Sequence, residues 1–183
     1  KQLTTKPIVT TSFVDDSVDL SKPDAIEGNP IYESNLHREH LDPSGRDYRH
    51  AVFAYRLRSV DDSGKVSGPS PAIFTIPSSP QHVFSREDGT TCRLKWAANL
   101  ENGIVGYRVY RMDGRWNKDP VSRLTGDPQA NTSFADKTAG KASRRYYIVA
   151  VDALGQEGFP SAPVWFQREW RSFYAPFVGG WHQ

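Results

Sequence analysis

Glu33, His37 and His40 stand at i, i+4 and i+7 of the stretch "IYESNLHREHL". On a helix they share one face, and a carboxylate with two imidazoles there has the donor set of a zinc or other transition-metal site. The spacing is unspecific and names no fourth ligand, so a solvated helix face, or one docked on a partner, is the simpler reading. Asp61 in "VDDSG" and Asp152 in "VDALG" are two further carboxylates in matching contexts. Each is followed by Gly three residues on, the pattern of an aspartate that closes a turn through its own side chain. Catalysis by the pair is therefore not expected. Cys92, the one cysteine, alternates with Leu94 and Trp96 in "TTCRLKWAA" and reads as an inward-facing core residue, so neither a disulfide within the chain nor a thiolate metal cluster can form. No G-x-S-x-G, phosphate loop or H-E-x-x-H occurs. No catalytic residue, cofactor or metal is assigned.

Two aromatic features remain. Trp116 lies in "DGRWNKDP", a hairpin-like loop, where it can stack on a sugar ring or cover a neighbouring domain. The closing strip "EWRSFYAPFVGGWHQ" places Trp170, Phe173, Tyr174 and Phe177 at i, i+3, i+4 and i+7, and Trp181 after a Gly–Gly pair. That is an apolar helical stripe, ended by Pro176. Burying each such side chain is worth roughly 1.5–3 kcal/mol, so the strip is expected to dock on a sandwich face, on a junction between units or on a partner chain. A glycan platform is the competing reading.

The elements that position these residues come from an internal repeat. "LTTKPIVTTSFVD" (Leu3 to Asp15) matches "LTGDPQANTSFAD" (Leu124 to Asp136) at a constant offset of 121. "YRLRSVDDSGKVSGPS" (Tyr55 to Ser70) matches "YYIVAVDALGQEGFPS" (Tyr146 to Ser161) at an offset of 91. The offsets differ by 30, so one unit is used twice, with 30 extra residues in the first copy. Within the second copy, "TTCRLKWAA", "GYRVYR" and "YYIVAVD" alternate at period 2, the mark of strands with one buried face. Turn clusters such as "REDG", "NLENG" and "DALGQEG" separate them. About seven strands in about ninety residues, with no helical pattern, predict a β-sandwich.

From Pro80 to Phe166 the chain resembles the fibronectin type III family, of the bacterial secreted kind. Trp96 on the second strand, "GYRVYR" on the third and "YYIVAVDALGQEGFPSAP" over the last two carry the resemblance. It implies tandem all-β, immunoglobulin-like sandwiches: a partial unit over 1–77, a complete one over 78–166 and an aromatic tail over 167–183. In the partial unit Lys1 corresponds to Ser122, so the counterparts of residues 81–121 are missing. The family often places a tyrosine at the start of the penultimate strand to tie down the neighbouring loop. The positions that correspond here read as Phe53 and Arg144, so this corner is expected to close differently.

Half a sandwich leaves a sheet face and strand edges unpaired. Either the chain is a fragment, or the N-terminal piece of a cut precursor stays docked as a companion polypeptide. Net charge is only +2, with nine Lys/Arg against eleven Asp/Glu over residues 1–80 and fourteen against ten over 81–183. No concentrated basic field argues for nucleic acid, and no apolar run approaches the length of a membrane span. Together these features point to a non-catalytic structural or interaction region of a larger secreted or cell-surface bacterial protein. The alternative is an accessory, glycan-contacting region of a carbohydrate-active enzyme.

Overall fold

The computed structural model describes residues 2–20, 53–114 and 120–166. Among these the secondary structure is entirely β: β1 (Ala54–Tyr55), β2 (Ile73–Phe74), β3 (Phe84–Asp88), β4 (Thr91–Lys95), β5 (Ile104–Met112), β6 (Val121–Arg123), β7 (Ser133–Asp136), β8 (Arg144–Asp152) and β9 (Val164–Phe166). Strands β3 to β9 form two antiparallel sheets, β3-β4-β7 and β6-β5-β8-β9, and β1 pairs with β2 in a separate two-stranded sheet. The seven C-terminal strands make a fibronectin type III-like sandwich. Their turns follow the residues: β3 and β4 join through Gly89, whose φ of 60° is open to a residue without a Cβ.

The core lies where the alternation places it. Cys92, Leu94 and Trp96 from the first sheet meet Tyr107, Val109, Tyr146, Ile148 and Ala150 from the second, with Phe166 closing one end. Trp96 and Tyr107 pack edge-on, ring centroids 5.5 Å apart. Gly106 sits where β5 passes a backbone bridge between Tyr107 and Gln129. A Cβ there would lie 2.9 Å from the Gln129 carbonyl carbon, closer than packing allows.

One expectation needs correction. Alternation implied a single buried face, yet β8 is buried along both. Tyr110, Met112, Tyr147 and Val149 form a second apolar cluster behind the sheet, with Val121 against it. The central pair β5–β8 therefore behaves as an interior strand pair, consistent with the near-continuous apolar run "YYIVAV". Glu157 in this layer accepts from the Tyr110 hydroxyl at 2.8 and 2.9 Å and from Arg108.

The loop before β8 is closed by Tyr146, two residues beyond Arg144. Its hydroxyl donates to Asp136 Oδ2 at 2.8 Å. Asp136 also accepts from Arg111 Nη1 at 2.9 Å, and its Oδ1 accepts from the Thr138 amide and hydroxyl at 2.8 and 2.7 Å. The carboxylate thus takes the place of the backbone acceptor that a tyrosine corner normally uses.

Candidate interaction surfaces

Most of the residues singled out for chemistry or docking lie outside the described residues: Glu33, His37 and His40, Trp116, and Trp170, Phe173, Tyr174, Phe177 and Trp181. Among the described residues no group of three or more His, Cys, Asp or Glu could hold a metal ion. Asp61 and Asp152 are turn residues. Asp61 Oδ1 accepts from the Ser63 and Lys65 amides, both at 2.9 Å, and Asp152 Oδ1 from those of Leu154 and Gln156 at 2.9 and 2.8 Å. Gly64 and Gly155 close the two turns with φ of 81° and 77°. Cys92 is fully buried, and burial pushes its thiol up to about 12, so it is no nucleophile at neutral pH.

Two surfaces emerge instead. The first is a clamp between the β2 strand and the sandwich. The Phe74 and Phe159 rings meet edge-on at 5.0 Å. The Phe159 amide donates to the Pro77 carbonyl at 3.0 Å, and Ile76 is buried beside it. On the other side of the linker the Ser78 amide donates to Glu101 Oε1 at 2.8 Å, while Asn99 Nδ2 donates to the Ser78 carbonyl at 2.9 Å. Burial disfavours the Glu101 carboxylate, but the hydrogen bonds from Ser78 and Asn99 outweigh it and hold its pKa below the usual range. Gly158 is required for this approach: a Cβ there would lie 2.8 Å from the Pro77 carbonyl carbon and nearer still to its oxygen. Two hydrogen-bonded loops and an aromatic pair thus join residues 74–78 to the sandwich.

Gly158 and Phe159 were not singled out from the sequence. A signal was there, since the 91-residue offset sets "GFPS" of the second copy against "SGPS" of the first.

The second surface is the inner face of the N-terminal hairpin. Several of its hydrogen bonds match those around β8 and β9. Tyr55 donates to Asp15 Oδ2 at 3.0 Å as Tyr146 does to Asp136, and Ser17 binds Asp15 Oδ1 as Thr138 binds Asp136. The Leu57 amide donates to Ser70 Oγ at 3.0 Å as Ile148 does to Ser161 Oγ at 3.0 Å. The register agrees too: Tyr55 faces Ile73 as Tyr146 faces Val164. In both tyrosines burial first, then the neighbouring aspartate, raises the phenol's pKa.

Exposure separates the two. Leu57 is 63% exposed where Ile148 is 0%, and Ile73 and Phe13 are 62% and 47% exposed. Arg56 and Arg58 take the opposite face, so the hairpin alternates apolar and basic with the apolar side open. β1 pairs with β2 alone among the described residues, where β8 pairs with both β5 and β9.

No family model matches the chain. It is 29% identical over 127 residues to Exoglucanase B of Cellulomonas fimi, covering 62% of this chain and 11% of that protein. The chain therefore spans about a tenth of that relative's length. Among solved structures, an Fn3-like protein from Clostridium thermocellum is 25% identical, covering 51% of this chain and 94% of that one, with a TM-score of 0.43. Pectate lyase PelI from Erwinia chrysanthemi, in complex with tetragalacturonic acid, is 17% identical, covering 48% and 28%, with a TM-score of 0.42. No helix among the described residues is long and apolar enough to cross a membrane.

Proposed function

We propose that this chain is a non-catalytic accessory region of a larger secreted, carbohydrate-active bacterial protein. It holds two fibronectin type III-like units, over 1–77 and 78–166, in a set orientation, and so spaces or presents its neighbours. The observation that supports this reading is the clamp: Phe74 against Phe159 and the Phe159 amide on Pro77 are contacts of the kind a spacer of defined geometry needs. The carbohydrate context rests on the stretch shared with an exoglucanase. Asp61 and Asp152 cap turns and Cys92 is a core residue, assignments in keeping with a structural role.

The test is rotational diffusion by amide relaxation, run beside an assay for sugar release from a soluble β-glucan. The expected result is one shared correlation time for residues 53–76 and 80–166, and no sugar released. Phe159→Ala is expected to decouple the two segments while leaving the sandwich folded. Independent tumbling in the unaltered chain, or release of sugar, overturns the reading.

A further inference from the structure

Resting on the carbohydrate-active reading, we propose that the outer face of the β3-β4-β7 sheet is a binding site for an acidic polysaccharide, one whose sugar rings carry carboxylates. Its residues are Phe84, Arg86, Arg93 and Lys95.

The register brings these four together. Arg86 lies directly opposite Arg93, and Phe84 directly opposite Lys95. Leu94, between the two cations of β4, points the other way into the core, so all four side chains share the outer face. The two pairs stand two residues apart along the strands, about 7 Å. On the far side of β4 the register sets Ala135 against Arg93 and Ser133 against Lys95. Both are small, so β7 raises no wall over the cations. All four residues are exposed, Phe84 by 64%. The outer face of the other sheet offers no such access, because Tyr110, Met112, Tyr147 and Val149 are buried there.

Folding alone does not ask for this arrangement. Like charges directly opposed across an antiparallel pair destabilise it, and a phenylalanine open to water adds nothing to the core. Cations that guard a sheet against pairing with another chain belong on its edge. β3 is an edge strand, but Arg93 and Lys95 stand on β4, between β3 and β7. Asp88 offsets part of the charge: its Oδ2 accepts from Arg93 Nε at 2.7 Å, with both side chains more than half exposed. An exposed pair of this kind is weak, and it takes one of the five N–H donors of a guanidinium. Arg86 and Lys95 make no ion pair among the described residues. The paired residues of β3 and β4 thus set three cations against one carboxylate on this face.

Charge and shape together select the ligand. Arginine forks match carboxylates through paired hydrogen bonds, and a neutral glucan would leave them without partners. The exposed ring of Phe84 takes the apolar face of a sugar, which an acidic peptide does not offer. The floor is a flat sheet rather than a cleft, which suits an extended chain laid across the strands.

The test is calorimetric titration of the unaltered 183-residue chain with four polymers: polygalacturonate, its fully methyl-esterified form, polyglutamate and oligothymidylate. Polygalacturonate is expected to bind, at least about tenfold more weakly in 1 M than in 0.01 M salt. The ester, which keeps the sugar and loses the charge, and polyglutamate, which keeps the charge and lacks the sugar, are each expected to bind at least about tenfold more weakly than polygalacturonate. Arg86→Gln with Lys95→Gln, which spares the Arg93–Asp88 pair, is expected to weaken polygalacturonate binding about tenfold, and Phe84→Ala about threefold with the salt dependence kept. No binding of polygalacturonate overturns the proposal, as does an ester that binds equally well or full affinity in the Arg86→Gln, Lys95→Gln variant. Equal or tighter binding of polyglutamate or oligothymidylate overturns it too, and assigns the face to an acidic protein or to nucleic acid. The polymer comparison needs no variant, so it holds whatever the substitutions do to folding. None of these outcomes alters the tumbling measurement or the sugar-release assay, so the two readings fail separately.

Discussion

Replacing Asp136 by Asn tests how the sandwich is locked at its loop before β8. The carboxylate is 3% exposed and accepts four hydrogen bonds, Arg111 and Tyr146 on Oδ2 and both Thr138 donors on Oδ1. An amide has the same shape but only one acceptor oxygen. In either orientation its NH2 faces two donors. The tyrosine and threonine hydroxyls can turn away, but the Arg111 guanidinium and the Thr138 amide cannot. Arg111 also loses one of its two counterions while keeping Asp113 at 2.7 Å.

Breaking a buried pair from one side typically costs about 3–5 kcal/mol; the surviving Asp113 contact places Asp136→Asn near the lower end, about 3 kcal/mol. Tyr146→Phe removes one hydrogen bond to a charged acceptor but leaves an apolar ring in an apolar site, a cost of about 1–2 kcal/mol. The two changes share an interaction, so the double variant is expected to cost less than their sum by about 1 kcal/mol. Urea unfolding followed by tryptophan fluorescence measures all three. A cost below about 1 kcal/mol for Asp136→Asn, or strict additivity with Tyr146→Phe, refutes the account.

Acid adds a second reading. Burial disfavours the charged form of Asp136, but bonds from Thr138, Arg111 and Tyr146 outweigh it and depress its pKa below the ordinary 3.8. A depressed carboxylate contributes stability that is fully present above its unfolded value and is lost as pH falls through the folded one. Asp136→Asn should therefore flatten the loss of stability below about pH 4.

Gly158→Ala is expected to weaken the clamp, because its Cβ meets the Pro77 backbone; chemical shifts of Phe74 and Ile76 should move while those of Leu94 and Val109 hold still. Cys92, with its thiol raised to about 12 and no exposure, should resist alkylation at pH 8 in the folded chain and react stoichiometrically once urea unfolds it. Changing Glu33, His37 and His40 together to Ala is expected to leave metal content and melting temperature unchanged, and zinc bound in equimolar amount by the parent chain alone would speak against that. Deleting residues 167–183, which removes Trp170, Phe173, Tyr174, Phe177 and Trp181, is expected to lower the melting temperature or release a partner chain.

The all-β class and the inner face of the sandwich follow from the sequence, and the reason is local. A strand sends alternate side chains to opposite sides whatever else it touches, so Cys92, Leu94 and Trp96 had to share a face, as did Tyr146, Ile148 and Ala150. The turns were equally local: an aspartate followed by glycine three residues on closes on its own backbone, as Asp61 and Asp152 do. What depends on distant segments was not legible. That no tyrosine stands at Phe53 or Arg144 was legible, but what closes the loop instead was not, because Tyr146 is recognised only by where its hydroxyl lands, on Asp136 ten residues back. Burial of Tyr147 and Val149 on the far side of β8 is set by what packs behind the sheet, which alternation does not encode. The clamp is of the same kind. Phe159 and Gly158 look like ordinary loop residues until the fold brings Pro77 and Phe74 against them, and only then does one need a ring there and the other need to lack a Cβ.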